Sequence, residues 1–301
     1  MRIAVAATPA VAIPTLDALL LSGHELVCVI TKPDAPAGRG RTLQSTPVAN
    51  WAEVNNVKLY KPESSQDLGE LVKELDLVVT IGYGLLLPLE VLVKPKHGFI
   101  NLHFSLLPRW RGAAPVQRAI EAGDRVTGVT VFQLDAGMDT GPIYLSAEYP
   151  LSGSVTSDQL FDSLAKLGVQ PVLKTLDSIE RGEKPVLQSE LGATRAYKLS
   201  KEEGNIDWKL DADLIIRKIN AFHPEPGAWS TFRGQVIKIN KVQTSDQTAS
   251  AGALMVKEKS ILVGTGTHAL ELLEVTPAGK SQMSASSWAN GARLTAADLL
   301  Q

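Results

Sequence analysis

Over the first 135 residues, short apolar β-rich runs alternate with amphipathic stretches, and this alternation constrains the fold more than any other feature of the chain. The runs are RIAVAA (2–7), ELVCVITK (25–32), VKLY (57–60), LDLVVTIG (75–82), GFINLHFS (98–105) and TGVTVFQLD (127–135). Helical patterns such as TLDALLLSG, ending at Gly23, and TPVANWAEVNN separate them. Strands that are nearly continuous Val, Ile and Leu have no polar face, so both faces need cover, and intervening helices supply it. The expected fold class is α/β, with a parallel sheet in a Rossmann-like, doubly wound domain.

The pattern then changes. Residues 155–183 read as two helical segments broken around Gly168 and Pro171, with Leu160, Phe161, Leu164 and Leu167 on one face as core. The polar stretch that follows lacks periodicity and reads as a linker. ADLIIRKINAF (212–222) is again helical, and after it come AWSTFRG, QVIKINKVQ, GALMVKEKSILVGTG and HALELLEVTP. Short strands with glycine-containing turns predict a small barrel. The expected domains are 1–184, a linker at 185–205, and 206–301.

Composition narrows the function classes. With 301 residues, 44% hydrophobic and 21% charged, the chain is long enough for two globular domains. A net charge of -2 argues against a protein that coats nucleic acid nonspecifically, so RNA binding would have to be local. The single cysteine, Cys28, sits in an apolar strand and reads as a buried small hydrophobe. His24, His97, His103, His223 and His268 show no metal-ligand spacing, so no metal is expected. No signal-like or membrane-length apolar run is present, and a cytoplasmic, soluble monomer without membrane contact is the expectation.

The chemistry concentrates in NLHFSLLPRWRGAAPVQRAI (101–120). In open α/β sheets, ligands bind beyond the carboxyl ends of the strands, and Asn101 and His103 end such a strand. Two residues apart on a strand, they point to the same side. Asp139 sits in a glycine loop, AGMDTG, after a strand expected to end nearby, which would bring a carboxylate to the imidazole. An Asn N–H can stabilise the oxyanion of an acyl-transfer intermediate, His103 can do the same or move a proton, and Asp139 can orient the ring. An amine substrate is its own nucleophile, so no Ser or Cys is required.

SLLPRWRGAAPVQRAI, with Asn101 and His103 before it and GVTVFQLDAGMDTGPI after it, resembles the 10-formyltetrahydrofolate-dependent formyltransferases over essentially the whole chain. The resemblance implies that Asn101, His103 and Asp139 are the catalytic set. It implies folate contacts from Ser105, Leu106, Leu107 and Pro108, and from Tyr83, Gly84, Leu85, Leu86, Leu87 and Pro88 in IGYGLLLP. One departure is local: Phe104 follows the His where many members carry a small residue. A nicotinamide cofactor is the rival for such a sheet, but the first turn, AATPAVAIPT, has no G-x-G-x-x-G.

Further segments separate the members of that family. TKPDAPAGRGRTL (31–43) is similar to the inserted loop of those acting on methionyl-tRNA, which implies that Arg39 and Arg41 meet acceptor-end phosphates of initiator tRNA. LSKEEGNIDW, FHPEPGAW and TPAGKSQMSASSW are similar to the linker and the two ends of an OB-like, tRNA-holding domain. The implied reaction moves the formyl group of 10-formyltetrahydrofolate to the methionine α-amine. Two alternatives stay open: a formyltransferase for a small amine such as a purine intermediate or amino sugar, and a noncatalytic folate- or RNA-binding module.

Overall fold

The computed structural model describes residues 1–37, 42–258, 260–295 and 297–301. It divides into two compact units: Met1–Pro115 with Val126–Pro150 and Phe161–Ala196, and Val116–Arg125 with Leu151–Leu160 and Tyr197–Gln301. The stretch expected as a linker, 185–205, is therefore split between them at 196.

The first unit holds a seven-stranded sheet. Its strands are β1 (Arg2–Ala7), β2 (Glu25–Ile30), β3 (Leu59–Tyr60), β4 (Leu77–Ile81), β5 (Phe99–His103), β6 (Val126–Gln133) and β7 (Ile143–Pro150), in the spatial order β7-β6-β5-β4-β1-β2-β3. From β1 the chain builds outward through β2 and β3, then returns to the other side of β1 for β4 and β5. These five strands are parallel, and β1 and β4 flank the point at which the winding reverses.

The sheet departs from the sequence reading at its other edge. Strand β6 runs antiparallel to β5, and β7, which the sequence pattern does not announce, pairs antiparallel with β6. Residues along β7 alternate between half-buried and exposed, as expected of an edge strand with only one covered face, and Ser146, Glu148 and Pro150 dilute its apolar signal.

Helices cover both faces. Helix α1 (Ile13–Leu20) carries Pro14 in its first turn, where no backbone donor is needed, and α2 (Pro47–Val54) is capped by Thr46 Oγ1, which accepts from Ala49 N at 3.0 Å. Helix α3 (Ser65–Val72) opens with a reciprocal Ser64/Asp67 capping box. After α4 (Leu89–Leu92) and α5 (Pro115–Ala122), the expected break separates α6 (Ser157–Leu167) from α7 (Val169–Glu180). A Cβ on Gly168, between them, would lie 2.6 Å from Leu102 Cδ2, so the break lets the helix pair press against β5.

In the second unit, α8 (Ala212–Phe222) precedes β8 (Trp229–Phe232), β9 (Gln235–Thr244), β10 (Leu254–Lys257), β11 (Ser260–Val263), β12 (Leu270–Pro277) and β13 (Met283–Ser284). These pair antiparallel in the order β8-β9-β12-β11-β10, with β13 on β12, and α9 (Ala285–Ala292) follows. Arg233 and Gly234 both have positive φ, the geometry of a two-residue hairpin turn. Leu300 bridges to Phe232 on β8, and Leu299 bridges to Ala253 just before β10. One short segment thus ties both edges together, giving the small antiparallel domain a barrel-like closure.

Candidate active site

Asn101 and His103 lie at the carboxyl end of β5 with Leu102 between them, so both side chains leave the same face of the sheet. Thr80, paired with Asn101 across β4 and β5, has its hydroxyl 3.0 Å from both Asn101 Oδ1 and the Ile100 carbonyl. A hydroxyl donating to Oδ1 orients the amide and leaves the Nδ2 hydrogens to face a substrate.

His103 is buried, and its ring meets Phe132 edge-on with centroids 6.3 Å apart. Its Nε2 lies 2.9 Å from the Trp110 carbonyl oxygen. A carbonyl only accepts, so Nε2 carries the hydrogen and Nδ1 is the nitrogen that faces Asp139, at 3.7 Å from Oδ2. That separation sets the carboxylate beside the ring nitrogen but beyond hydrogen-bond length. Asp139 Oδ2 accepts from Gly112 N at 2.7 Å.

From the sequence, Asp139 is expected here because two strands would end side by side; in the structure they do not. Ile100 pairs with Gln133 and Leu134 N donates to Phe99 O, so β6 ends beside the start of β5. The loop at 134–142 therefore has to double back along the sheet to reach His103. Several local devices shape it. Asp135 Oδ1 accepts from Gly137 N and Thr140 Oγ1, and Asp139 itself adopts a left-handed φ of 56°, which Asp tolerates better than most residues. A Cβ on Gly141 would sit 1.8 Å from the Gln133 carbonyl oxygen, so only glycine fits there.

The segment 105–108 closes on itself. The Ser105 hydroxyl is buried and donates to Arg109 O at 2.6 Å, while buried Thr130 Oγ1 donates to Ser105 O at 2.7 Å and accepts from Leu107 N at 3.1 Å. Ser105 shapes the turn and does not offer its hydroxyl to a ligand. Leu106 and Pro108 are half-buried, and Leu107 is buried. Arg109 stacks on Trp110, its guanidinium carbon 4.3 Å from the ring centroid. Phe104 is buried edge-on against Phe161, with centroids 5.8 Å apart, which accommodates the bulky residue after His103 within the core.

Residues 82–88 leave β4 at the reversal of the winding, where ligands of open sheets bind. Gly82 and Gly84 take positive φ, the Tyr83 carbonyl accepts from Thr8 Oγ1 at 3.4 Å, and the Gly84 carbonyl accepts from Lys32 Nζ at 3.0 Å. Tyr83 and Leu87 point into the core with Pro88 half-buried beside them, and burial raises the Tyr83 phenol above its ordinary value. Leu85 and Leu86 are 52% and 71% exposed, so they are the pair of this loop that can present an apolar face to a ring. Arg39 and Arg41 lie outside the described residues.

Sequence reasoning missed the groups that hold the site: Thr80, the Trp110 carbonyl, the Gly112 N–H, and two residues of the expected linker, Gln188 and Thr194. Backbone groups leave no sequence signal, and the two linker residues act across a chain separation that no local pattern records. One potential metal-holding group occurs among the described residues, His24 with Asp177 and Glu180, whose ligand atoms lie within 4.8 Å of one another.

The family model for formyl transferase matches residues 1–176, and that for the formyl transferase C-terminal domain matches residues 198–293. The chain belongs to the formyl transferase family. Over 98% of its length it is 44% identical to the methionyl-tRNA formyltransferase of Thermobifida fusca (strain YX), covering 97% of that protein. It is 41% identical over 100% of both chains to the methionyl-tRNA formyltransferase of Salinispora tropica (strain ATCC BAA-916 / DSM 44818 / JCM 13857 / NBRC 105044 / CNB-440). Among solved structures, an N-formyltransferase from Helicobacter canadensis in complex with folinic acid and dTDP-3-aminofucose has a TM-score of 0.70 at 19% identity, with 90% of this chain and 98% of that one covered. HypX from Aquifex aeolicus in complex with tetrahydrofolic acid gives 0.69 at 20% identity, covering 96% of this chain and 46% of that one. At these identities, the two likenesses establish the shared formyl transferase fold.

Proposed function

We propose that this formyltransferase moves the formyl group of 10-formyltetrahydrofolate to the α-amino group of methionine esterified to initiator tRNA. One observation carries the reading: an Asn101, His103 and Asp139 cluster in a chain 44% identical over 98% of its length to a methionyl-tRNA formyltransferase. Leu85 and Leu86 offer the apolar face that a pterin ring requires, and the remaining folate contacts in this reading come from the rest of 83–88 and from 105–108.

The methionine amine attacks the formyl carbon. Nδ2 of Asn101 donates to the oxyanion of the tetrahedral intermediate. The ammonium proton passes to the His103–Asp139 pair directly or through a water, the bond from carbon to the folate N10 breaks, and N10 takes up a proton as tetrahydrofolate departs. Arg39 and Arg41 neutralise phosphates of the acceptor end, and residues 206–301 hold the body of the tRNA.

The test is formyl transfer from 10-formyltetrahydrofolate to methionine-charged initiator tRNA, with charged elongator tRNA and a purine-pathway amine as parallel acceptors. Transfer to the initiator alone is the expected result. Transfer to the small amine with silence on both tRNAs would overturn the tRNA assignment while keeping the chemistry, and silence on all three would overturn both.

A further inference from the structure

Because β6 runs against β5, nothing in the strand ends holds Asp139 beside His103; the Gly112 N–H binds its carboxylate, and the group that holds its loop lies about fifty residues further along. Gln188 Nε2 donates to the Asp139 carbonyl at 2.9 Å and to the Gly141 carbonyl at 2.7 Å. Its Oε1 accepts from Arg111 Nε at 3.0 Å and Nη2 at 2.9 Å. The amide orientation is thereby forced: reversed, it would set N–H groups against a guanidinium and an oxygen against two carbonyls. The Arg111 side chain is buried, and its far side pairs with Glu190 Oε1 at 3.1 Å.

The same segment reaches the other partner of His103. Thr194 Oγ1 accepts from Trp110 N at 2.9 Å, and it is the Trp110 carbonyl that receives the Nε2 hydrogen. Residues 195–196 then pair with 111–112 as two short parallel strands. A Cβ on Gly112 would lie 2.7 Å from the Ala196 carbonyl oxygen, and Gly112 is the residue whose N–H binds Asp139. Both residues that bracket the imidazole are thus anchored through their backbone by residues 188–196.

We propose that Gln188 is a positioning residue of the reaction: through two hydrogen bonds to the loop at 139–141 it seats the Asp139 carboxylate on His103 Nδ1, with Thr194 setting the Nε2 side. This rests on the formyl-transfer reading for its kinetics, and wild-type turnover tests that reading separately.

The experiment compares Gln188→Met, Gln188→Glu and Thr194→Val with the wild type. Gln188→Glu keeps the acceptor for Arg111 but turns an oxygen toward two carbonyls. If Gln188 acts on the Asp139 loop, both Gln188 variants lower kcat by up to about 100-fold, the penalty of a misplacement near ~1 Å, and leave KM for both substrates unchanged. If Gln188→Glu instead keeps wild-type kcat, the residue serves only to fix Arg111 and the proposal is overturned. A second readout is independent of turnover: the imidazole nitrogen resonances of His103, identified by their loss in His103→Ala. Gln188→Met should move the Nδ1 resonance, and Thr194→Val the Nε2 resonance. Unmoved His103 resonances in folded Gln188→Met and Gln188→Glu overturn the assignment whatever the rates.

Discussion

His103 Nε2 lies 2.9 Å from the carbonyl oxygen of Trp110, so the ring hydrogen is spent on the backbone and proton traffic is confined to Nδ1 and Asp139. Removing either end of that pair should be fatal to the chemistry and mild for binding. His103→Ala and Asp139→Ala are expected to lower turnover by about 100- to 10,000-fold, the range of general acid–base assistance, while affinity for charged tRNA stays at the wild-type level. Parallel turnover and equilibrium-binding titrations check this, and near-normal turnover in either variant would remove the pair from the mechanism.

The Thr80 hydroxyl near Asn101 sets a graded comparison. Asn101→Ala removes an oxyanion donor and should cost about 100- to 1000-fold in kcat. Thr80→Val keeps the amide and removes only what orients it, a hydrogen bond of about 1 kcal/mol, so a loss within about 10-fold is expected. Equal losses in the two variants would mean that Thr80 contributes more than orientation.

How much of this was legible follows from the range over which each signal acts. Strand β1 at 2–7 and helix α8 at 212–222 match the sequence reading because apolar period and caps act locally. The pairing of Asn101 with His103 was legible for the same reason, since alternation along one strand is a two-residue rule. The direction of β6 was not: Val126–Gln133 is buried on both faces, as a parallel strand would be, and direction depends on where the next connection lies. The polarity of 185–205 suggested a tether, yet Gln188 and Thr194 are polar because they face backbone groups of 110 and 139–141.

Cys28 is 1% exposed, and burial pushes its thiol up to about 11, with Lys58 opposing weakly. The thiolate is the reactive form, so both access and ionisation argue for an inert residue. A thiol-alkylating reagent at pH 7 should leave native protein unmodified and label it fully in denaturant, as read by intact mass. Rapid labelling of native protein would contradict the buried position in β2.

The Arg233 guanidinium beside Asp298 holds that carboxyl down to about 2, helped by the backbone N–H of Thr295. Its unfolded value is about 3.9, so the folded state binds fewer protons between the two. The stabilisation is then fully present above about pH 4 and is lost as pH falls through about 2. Acid unfolding followed by circular dichroism should show Asp298→Asn less stable at pH 7 and with a flatter dependence between pH 4 and 2. An unchanged slope would mean the pair does not contribute.

The order of synthesis gives the contacts at 188–196 a temporal meaning. All seven strands of the sheet are complete once residue 150 has left the ribosome, and Asn101, His103 and Asp139 are already in the emerging chain. Gln188 and Thr194 arrive later, so the nascent sheet carries the three side chains before it carries what aligns two of them. A fragment ending at 184 would keep every strand of the sheet and the residues that react, but it would lack Gln188 and Thr194, which brace the backbone on either side of the imidazole.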